Sequence, residues 1–500
     1  MTSSRRGQHK TRKRGLTIFQ ALHKVNHEAK ELQKGQCRFP GTLVSAIATG
    51  LWLITATAAA AQSAAPRVYQ PNAADEDWTF LKSAPKTDIW DPLKYIALGP
   101  EDWSLTLSGE FRLRPEGFRI RRADAGAVSD SYLLQRYLVG FDLRMGQRVR
   151  VFGELQSGLI NGQLRSPRPT DRNSVDLHQA FVELRWAARE TEQFALVAGR
   201  QELEIGSSRL ISASPGLNVK RSFDGVKVSY RSASWALAGA VAQLTSLGAG
   251  SFDDRPDPEQ VFWGVAAGRR GPALERSDVG VYYLGIDRNR SFYAQGEGKE
   301  ARHTVGAKWY GVGKAIDLNY DGVFQWGRFA DASIRAWGIA SETGLRFASA
   351  WRPRASLRID IASGDRDAAA AALQSFNPLF PGNSYSGAVG LLGPTNLTDL
   401  TPAVTLRPRT DLTFSVEAPS YWRTSTGDGV YATDLRVLFG PAAGTSRYVG
   451  TNPGIVIVWQ PTRHVQLQGA VTRFMAGSFL EETFVSEGFG FYSFTARYRF

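Results

Sequence analysis

From Trp103 onward, apolar and polar residues alternate in segments of about ten residues separated by turn residues, the texture of membrane-spanning β-strands. Ser104–Arg114 sets Leu105, Leu107, Phe111 and Leu113 on one face, with Thr106, Ser108, Glu110, Arg112 and Arg114 on the other. Arg136–Met145 opposes Tyr137, Val139, Phe141, Leu143 and Met145 to Arg136, Asp142 and Arg144. Asp317–Gly327 and Ala355–Ser363 repeat the pattern. A period of two sends successive side chains to opposite faces of a sheet. A soluble antiparallel sandwich alternates as well. Two features favour a bilayer. Tryptophans recur near segment ends (Trp103, Trp186, Trp235, Trp309, Trp326, Trp351, Trp459), as an interfacial girdle requires. The apolar face is also continuous, while its opposite carries many charges.

Helical spans do not fit. Ser232–Phe252 is uncharged, but Trp235, Leu237 and Val241 alternate with Ala236, Ala238, Ala240 and Ala242, which predicts a strand with small inward residues. Ala368–Thr398 is uncharged too, yet Pro378, Pro381 and Pro394 break it into loop. The whole segment Asp365–Leu400 is long for an irregular connection. Two readings stand for it: a loop folded into or over a pore, or a mobile surface loop. The chain closes with Tyr492, Phe494, Ala496, Tyr498 and Phe500 at alternate places, which resembles the C-terminal signature that barrel assembly machinery reads. Counting runs from Trp103 to Phe500 gives roughly 17–19 strands, and the even number expected of a single-chain barrel is 18. The expected fold is therefore all-β: a monomeric antiparallel transmembrane barrel over 103–500.

The N-terminus supports export from the cytoplasm. Residues 43–61 are uncharged, follow a basic stretch and end in small residues, the order of a secretory signal cleaved after Ala59-Ala60-Ala61; an uncleaved anchor is the alternative. Residues 1–61 thus read as basic leader and signal peptide, and 62–102 as a polar periplasmic lead-in. This division changes the meaning of the net charge. The total is +13, from 60 Lys/Arg and 47 Asp/Glu, but the first 61 residues hold ten Lys/Arg against two Glu and so carry +8. The remaining +5 does not support nucleic-acid binding.

Chemistry beyond transport is poorly represented. The single cysteine, Cys37, lies in the leader, so the mature chain holds no disulfide or thiolate metal site. His178, His303 and His464 are far apart, with no HExxH, and no metal or cofactor is expected. There is no GxSxG elbow, no Walker A and no GxGxxG after a strand. Asp365–Asp367 and Asp428–Gly429 specify too few ligands for calcium.

Four motifs resemble those of the alginate export family of Gram-negative outer-membrane barrels. The first is Gly199-Arg200-Gln201-Glu202-Leu203 with Gly206, Arg209 and Leu210, followed by Asn218 and Arg221-Ser222-Phe223-Asp224-Gly225-Val226. The second is Phe376-Asn377-Pro378-Leu379-Phe380-Pro381, with Gly390–Leu397 and Asp399-Leu400 after it. The third is Tyr421-Trp422-Arg423-x-Ser425 with Asp428-Gly429-Val430-Tyr431, and the last is the closing strand. The resemblance implies an 18-stranded porin-like monomer in the outer membrane, with an electropositive, arginine-lined pore for an anionic polysaccharide. It carries over Arg200, Arg221 and Arg423 as substrate-contacting positions. Its implied partners are the saccharide, outer-membrane lipid and the barrel assembly machinery; a periplasmic partner is left open.

Strand alternation adds Arg112, Arg136 and Arg358 to the pore-binding set, because their faces oppose the apolar one. Arginine's planar fork of donors matches carboxylates and never loses its charge. The competing reading pairs these arginines with Glu110, Asp142, Glu154 and Asp360 in a network that only stiffens the wall. The alternatives for the whole chain are a barrel enzyme or adhesin, and a secreted soluble β protein.

Overall fold

The computed structural model describes residues 69–99, 102–120, 129–164, 166–189, 191–271, 274, 276–367, 371–382, 389–483 and 488–500; the expected leader and cleavage site lie outside them. Eighteen antiparallel strands form one closed barrel. In chain order they are β1 (Trp103–Ile120), β2 (Asp130–Met145), β3 (Val149–Asn161), β4 (Asn173–Arg189), β5 (Glu192–Gln201) and β6 (Phe223–Arg231). There follow β7 (Trp235–Ser246), β8 (Gln260–Gly271), β9 (Arg276–Tyr293), β10 (Gly296–Val312), β11 (Ile316–Phe329) and β12 (Ala332–Arg346). The last six are β13 (Arg354–Ala362), β14 (Leu397–Arg409), β15 (Leu412–Glu417 continued by Ser420–Arg423), β16 (Tyr448–Thr451 continued by Gly454–Trp459), β17 (Val465–Ala476) and β18 (Gly488–Arg499). The breaks in β15 and β16 fall at Pro419 and Pro453, which have no N–H to give the ladder. Asn452 spans the interruption by donating to the Pro419 carbonyl at 2.8 Å.

The barrel closes where β1 meets β18, from Glu110 opposite Arg499 to Ile120 opposite Phe489. Closure leaves no strand edge with unpaired backbone, the condition for standing in hydrocarbon. At this seam Gly109 and Phe500 exchange both backbone hydrogen bonds, each 3.0 Å. The Phe500 ring lies so close over Gly109 that a Cβ there would come within 2.3 Å of it, so glycine is the residue that admits the terminal aromatic ring.

The alternation is wound as expected, with apolar residues out and polar residues in. Phe141 is 44% exposed and Val241 58%, while Arg136, Asp142 and Arg144 are buried on the inner face. Ala240 and Ala242 are buried inward, as the Ser232–Phe252 pattern predicts. Trp103, Trp186, Trp235 and Trp351 are exposed at the end that carries the short turns and both the start of β1 and the end of β18. Most connections at the opposite end are long: 162–172, 202–222, 247–259, 363–396 and 424–447.

One feature departs from a simple polar lumen. Phe262, Tyr282, Leu284, Ile286, Ile334 and Ala336 also point inward and are buried. They form a core with Leu203, Ile205, Leu210 and Ile211 of one long connection and Leu373, Phe376, Leu379 and Phe380 of another. Two loops therefore fold into the barrel and bury an apolar interior on the β6–β13 side. The described residues of the long segment after β13, from Leu373 to Phe380, lie in the lumen and not on the surface.

Candidate functional site

The lumenal loops are held by the residues that the motifs single out. Loop 202–222 and loop 363–396 pair with each other inside the barrel: Ser212 N donates to Phe380 O at 3.0 Å, Phe380 N to Leu210 O at 2.8 Å and Gly382 N to Ser208 O at 3.1 Å. Asn377 donates to Tyr293 and Glu300, both at 3.0 Å, and its own amide reaches Gln325 at 2.9 Å. Asn396 bonds the carbonyls of Ser425 and Gly429 at 3.0 and 2.9 Å, and so ties loop 363–396 to loop 424–447. The two acidic fragments also meet here. Asp428 accepts from the Asp365 amide at 2.9 Å, from Ser375 and Tyr431 at 2.6 Å each, and from Gln295 at 3.2 Å. Burial, with the Asp428 charge beside it, pushes the Asp365 carboxyl up to about 6.

The six arginines nominated from the sequence do not form one ring. Arg112 and Arg136 lie on adjacent strands and share the carbonyls of Pro215 and Leu217 at the tip of loop 202–222; Arg112 also bonds Asn218 at 3.1 Å. Both are only 1% exposed. Arg423 is wholly buried, bonding Gly444 O at 2.8 Å and Ser446 O at 2.7 Å, with its guanidinium 4.1 Å from the Phe479 ring centre. Arg221 binds Ser212 O at 2.9 Å and lies over Phe380, at the junction of the two lumenal loops. Arg200 pairs with Asp224 at 2.9 Å and reaches the carbonyls of Leu177 and Asp254. Arg358 stands apart from these, bonded to Asp399 at 3.1 Å and Thr401 at 3.2 Å.

Through Asp360 and Asp399, Arg358 adjoins a cleft between the lumenal loops and the wall at β11–β15. Arg209, Asp321, Asp360, Asp399, Tyr421 and Phe376 line it. Arg209 bridges to Asp360 at 2.9 Å, and Arg358 Nε lies 3.7 Å from the same carboxylate. Arg358 Nε and Asp360 Oδ1 have no hydrogen-bond partner among the described residues. Arg209 is the residue that strand alternation missed: it sits on a loop, where periodicity is silent, although it stands inside the first family motif.

A dense charge cluster lies at the seam. Glu110 receives Arg136 Nε at 2.8 Å and Arg499 Nε at 2.9 Å, with Arg497 Nε 3.5 Å away. Arg112 and Arg114 stand on the same strand face, and Arg114 pairs with Glu116 at 2.8 Å. Five arginines thus face two glutamates on one side of the lumen. Arg497 and Arg499 keep 19% of their side chains exposed. Elsewhere Glu154, His178 and Glu202 come together, but Lys220 is ion-paired to Glu202 and Gln179 donates to Glu154 at 3.3 Å, so the group is already filled. Asp176 caps the Asp253 and Asp254 amides at 2.8 and 3.0 Å, which accounts for that acidic group as a loop closure.

No curated protein matches this sequence. Several solved porins share its fold at low identity. A BenF-like porin from Pseudomonas fluorescens Pf-5 superposes with a TM-score of 0.54 at 8% identity, over 79% of this chain and 98% of that one. Pseudomonas aeruginosa OccD3 (OpdP) gives 0.52 at 11% identity, over 82% and 93%, and P. aeruginosa OccK2 (OpdF) gives 0.51 at 11%, over 79% and 97%. The closed barrel with an apolar outer face belongs in the outer membrane, which overturns the secreted soluble reading. The alginate export family model matches residues 104–488, well over half the chain, so the chain belongs to the alginate export family and is an outer-membrane channel rather than an enzyme.

Proposed function

We propose that the lumen passes an anionic saccharide, an oligomer or polymer of the alginate-like kind. The observation that supports this reading is the excess of arginine at the seam, where Arg112, Arg114, Arg136, Arg497 and Arg499 gather about Glu110 and Glu116, with Glu76 and Glu154 on the space beside Arg499. A sugar carboxylate accepts the guanidinium fork at two oxygens, and moves on by exchange when several such forks lie along its way. The contact set differs in emphasis from the one read off the strands. Arg114, Arg358, Arg497 and Arg499 are the contacts, since each retains exposed surface in the lumen. Arg112, Arg136, Arg200, Arg221 and Arg423 shape the route by fixing the loops beside it. At Arg358 the wall carboxylates Asp360 and Asp399 take the guanidinium between passages, so a passing uronate displaces one anion by another.

The test is block of single-channel current by an oligouronate and by a neutral oligosaccharide of equal length. The acidic oligomer is expected to block and the neutral one to pass without effect. Arg358→Gln together with Arg497→Gln should weaken that block about a hundredfold, about tenfold for each lost charge-assisted hydrogen bond. Equal block by both oligomers, or block unchanged in the folded double variant, contradicts the assignment.

A further inference from the structure

The segment before β1, read from sequence as a lead-in, lies against the inside of the barrel wall. Ala74 is buried among Phe152, Phe181 and Val197, inward residues of β3, β4 and β5. Asn72 accepts from Gln179 at 2.9 Å, and Pro71 O from Lys220 of loop 202–222 at 3.3 Å. Wall arginines complete the hold: Arg150 donates to Ala74 O at 2.7 Å and Arg144 to Glu76 O at 2.9 Å. This segment approaches from the short-turn end and meets, at Pro71, a loop that enters from the other.

The segment has its own core. Trp78, Leu81 and Tyr95 pack with Tyr69 and Phe80. Lys94 is buried between the Tyr69 and Trp78 rings, 5.1 and 5.0 Å from their centres, and 3.6 Å from Glu76. Glu76 also accepts from Trp78 Nε1 at 2.7 Å. Its hold on the strands is of a different kind. Apart from Ala73 and Ala74 inside and the Trp90 ring at the rim, it is gripped through polar bonds that water or an anion can replace. Loops 202–222 and 363–396, by contrast, share a large apolar core with the wall and cannot leave without exposing it. At the rim, Asp88 receives Arg463 and His464 of the β16–β17 turn, the His464 contact at 2.8 Å. Trp90 donates to Tyr498 at 2.7 Å and stacks on Phe500 at 4.3 Å. Beyond the rim contact, Ile96–Leu98 pairs with Trp103–Leu105 of β1 and fixes the segment's far end to the barrel.

We propose that Gln70–Lys94 is a gate: a preformed body, hinged on the Ile96–Leu98 pairing and latched by Asp88, that occupies the short-turn side of the lumen and withdraws to widen the path. The gate does not depend on what solute passes. Its displacement breaks about as many hydrogen bonds as water can remake, while its internal core travels with it.

Two readouts on the full chain test it, in a Cys37→Ser background. Ser108 lines the space beneath Tyr69, Gln70 and Pro71. Ser108→Cys is expected to react slowly with a charged, membrane-impermeant thiol reagent, and about tenfold faster once the latch is removed by Asp88→Asn. Single-channel conductance of Asp88→Asn should spend more time in a wide state, about twofold larger than the resting one. Deleting Gln70–Lys94 should make that wide state permanent; heat-modifiability on gels reports that the deleted barrel is folded. Equal thiol reactivity and equal conductance in the parent and Asp88→Asn chains overturn the gate, as does an unaltered conductance in the folded deletion.

Discussion

Glu110→Gln is expected to be the most damaging single substitution in the lumen, costing the barrel about 3–5 kcal/mol. Glu110 is the carboxylate that Arg136 and Arg499 bond and that Arg497 approaches. It is also buried, so its loss leaves several guanidinium groups facing one another where solvent screens them little. The position adds to the effect. Glu110 pairs with Arg499 across the β1–β18 seam, so the substitution strikes the strand pair that closes the barrel. The measurement is the temperature at which the barrel shifts from its compact to its unfolded gel band. A large downward shift is expected for Glu110→Gln and a small one for Glu110→Asp, which keeps the charge. Equal stability of Glu110→Gln and the parent would show that the arginines are neutralised by other means.

Arg423→Gln should come second, at about 3 kcal/mol, and through a different cause. Among the described residues no carboxylate is bonded to Arg423; its charge rests on the carbonyls of Ser446 and Gly444 and on the Phe479 ring. Gln cannot span these positions, so loop 424–447 loses its attachment to β15 and its carbonyls are orphaned. Arg423→Lys is not expected to rescue it, because a single ammonium cannot reproduce the planar fork. Protease nicking within 424–447 checks this: rapid in both variants, slow in the parent. Nicking as slow in Arg423→Gln as in the parent would remove the pinning role and return Arg423 to the candidates for substrate contact.

The barrel itself was legible because a strand's face is a local property. The alternation Leu105-Thr106-Leu107-Ser108 declares which side meets hydrocarbon, and the structure places Ala240 and Ala242 inward on the same logic. What alternation cannot carry is depth and partner. Arg112 and Arg136 do face inward, but what they bind, Pro215–Asn218, lies some hundred residues away in a loop whose entry into the barrel no periodicity announces. The inward Phe262, Tyr282, Leu284 and Ile286 blur the polar–apolar contrast on β8 and β9 for the same reason: their solvent is loop, not water. The family motifs of loops 202–222 and 363–396 mark this packing, with Phe376, Leu379 and Phe380 inside the apolar core. The lead-in gave the weakest signal. A short polar stretch containing Pro71, Pro85 and Pro92 reads only as a polar lead-in, yet it has a core of Trp78, Leu81 and Tyr95. The acid strength of its latch is likewise invisible in sequence. Burial alone would raise the Asp88 carboxyl, but hydrogen bonds from His464, the Trp90 amide and Arg463 outweigh it and hold the group at about 2.

The central claim, an outer-membrane channel whose lumen favours anions, is tested most directly by the reversal potential of the purified full-length barrel in planar bilayers under a salt gradient. At low ionic strength the sign of that potential should report anion preference, and the preference should fade toward high salt as the lumenal arginines are screened. A reversal potential of cation-selective sign at low salt would contradict the account.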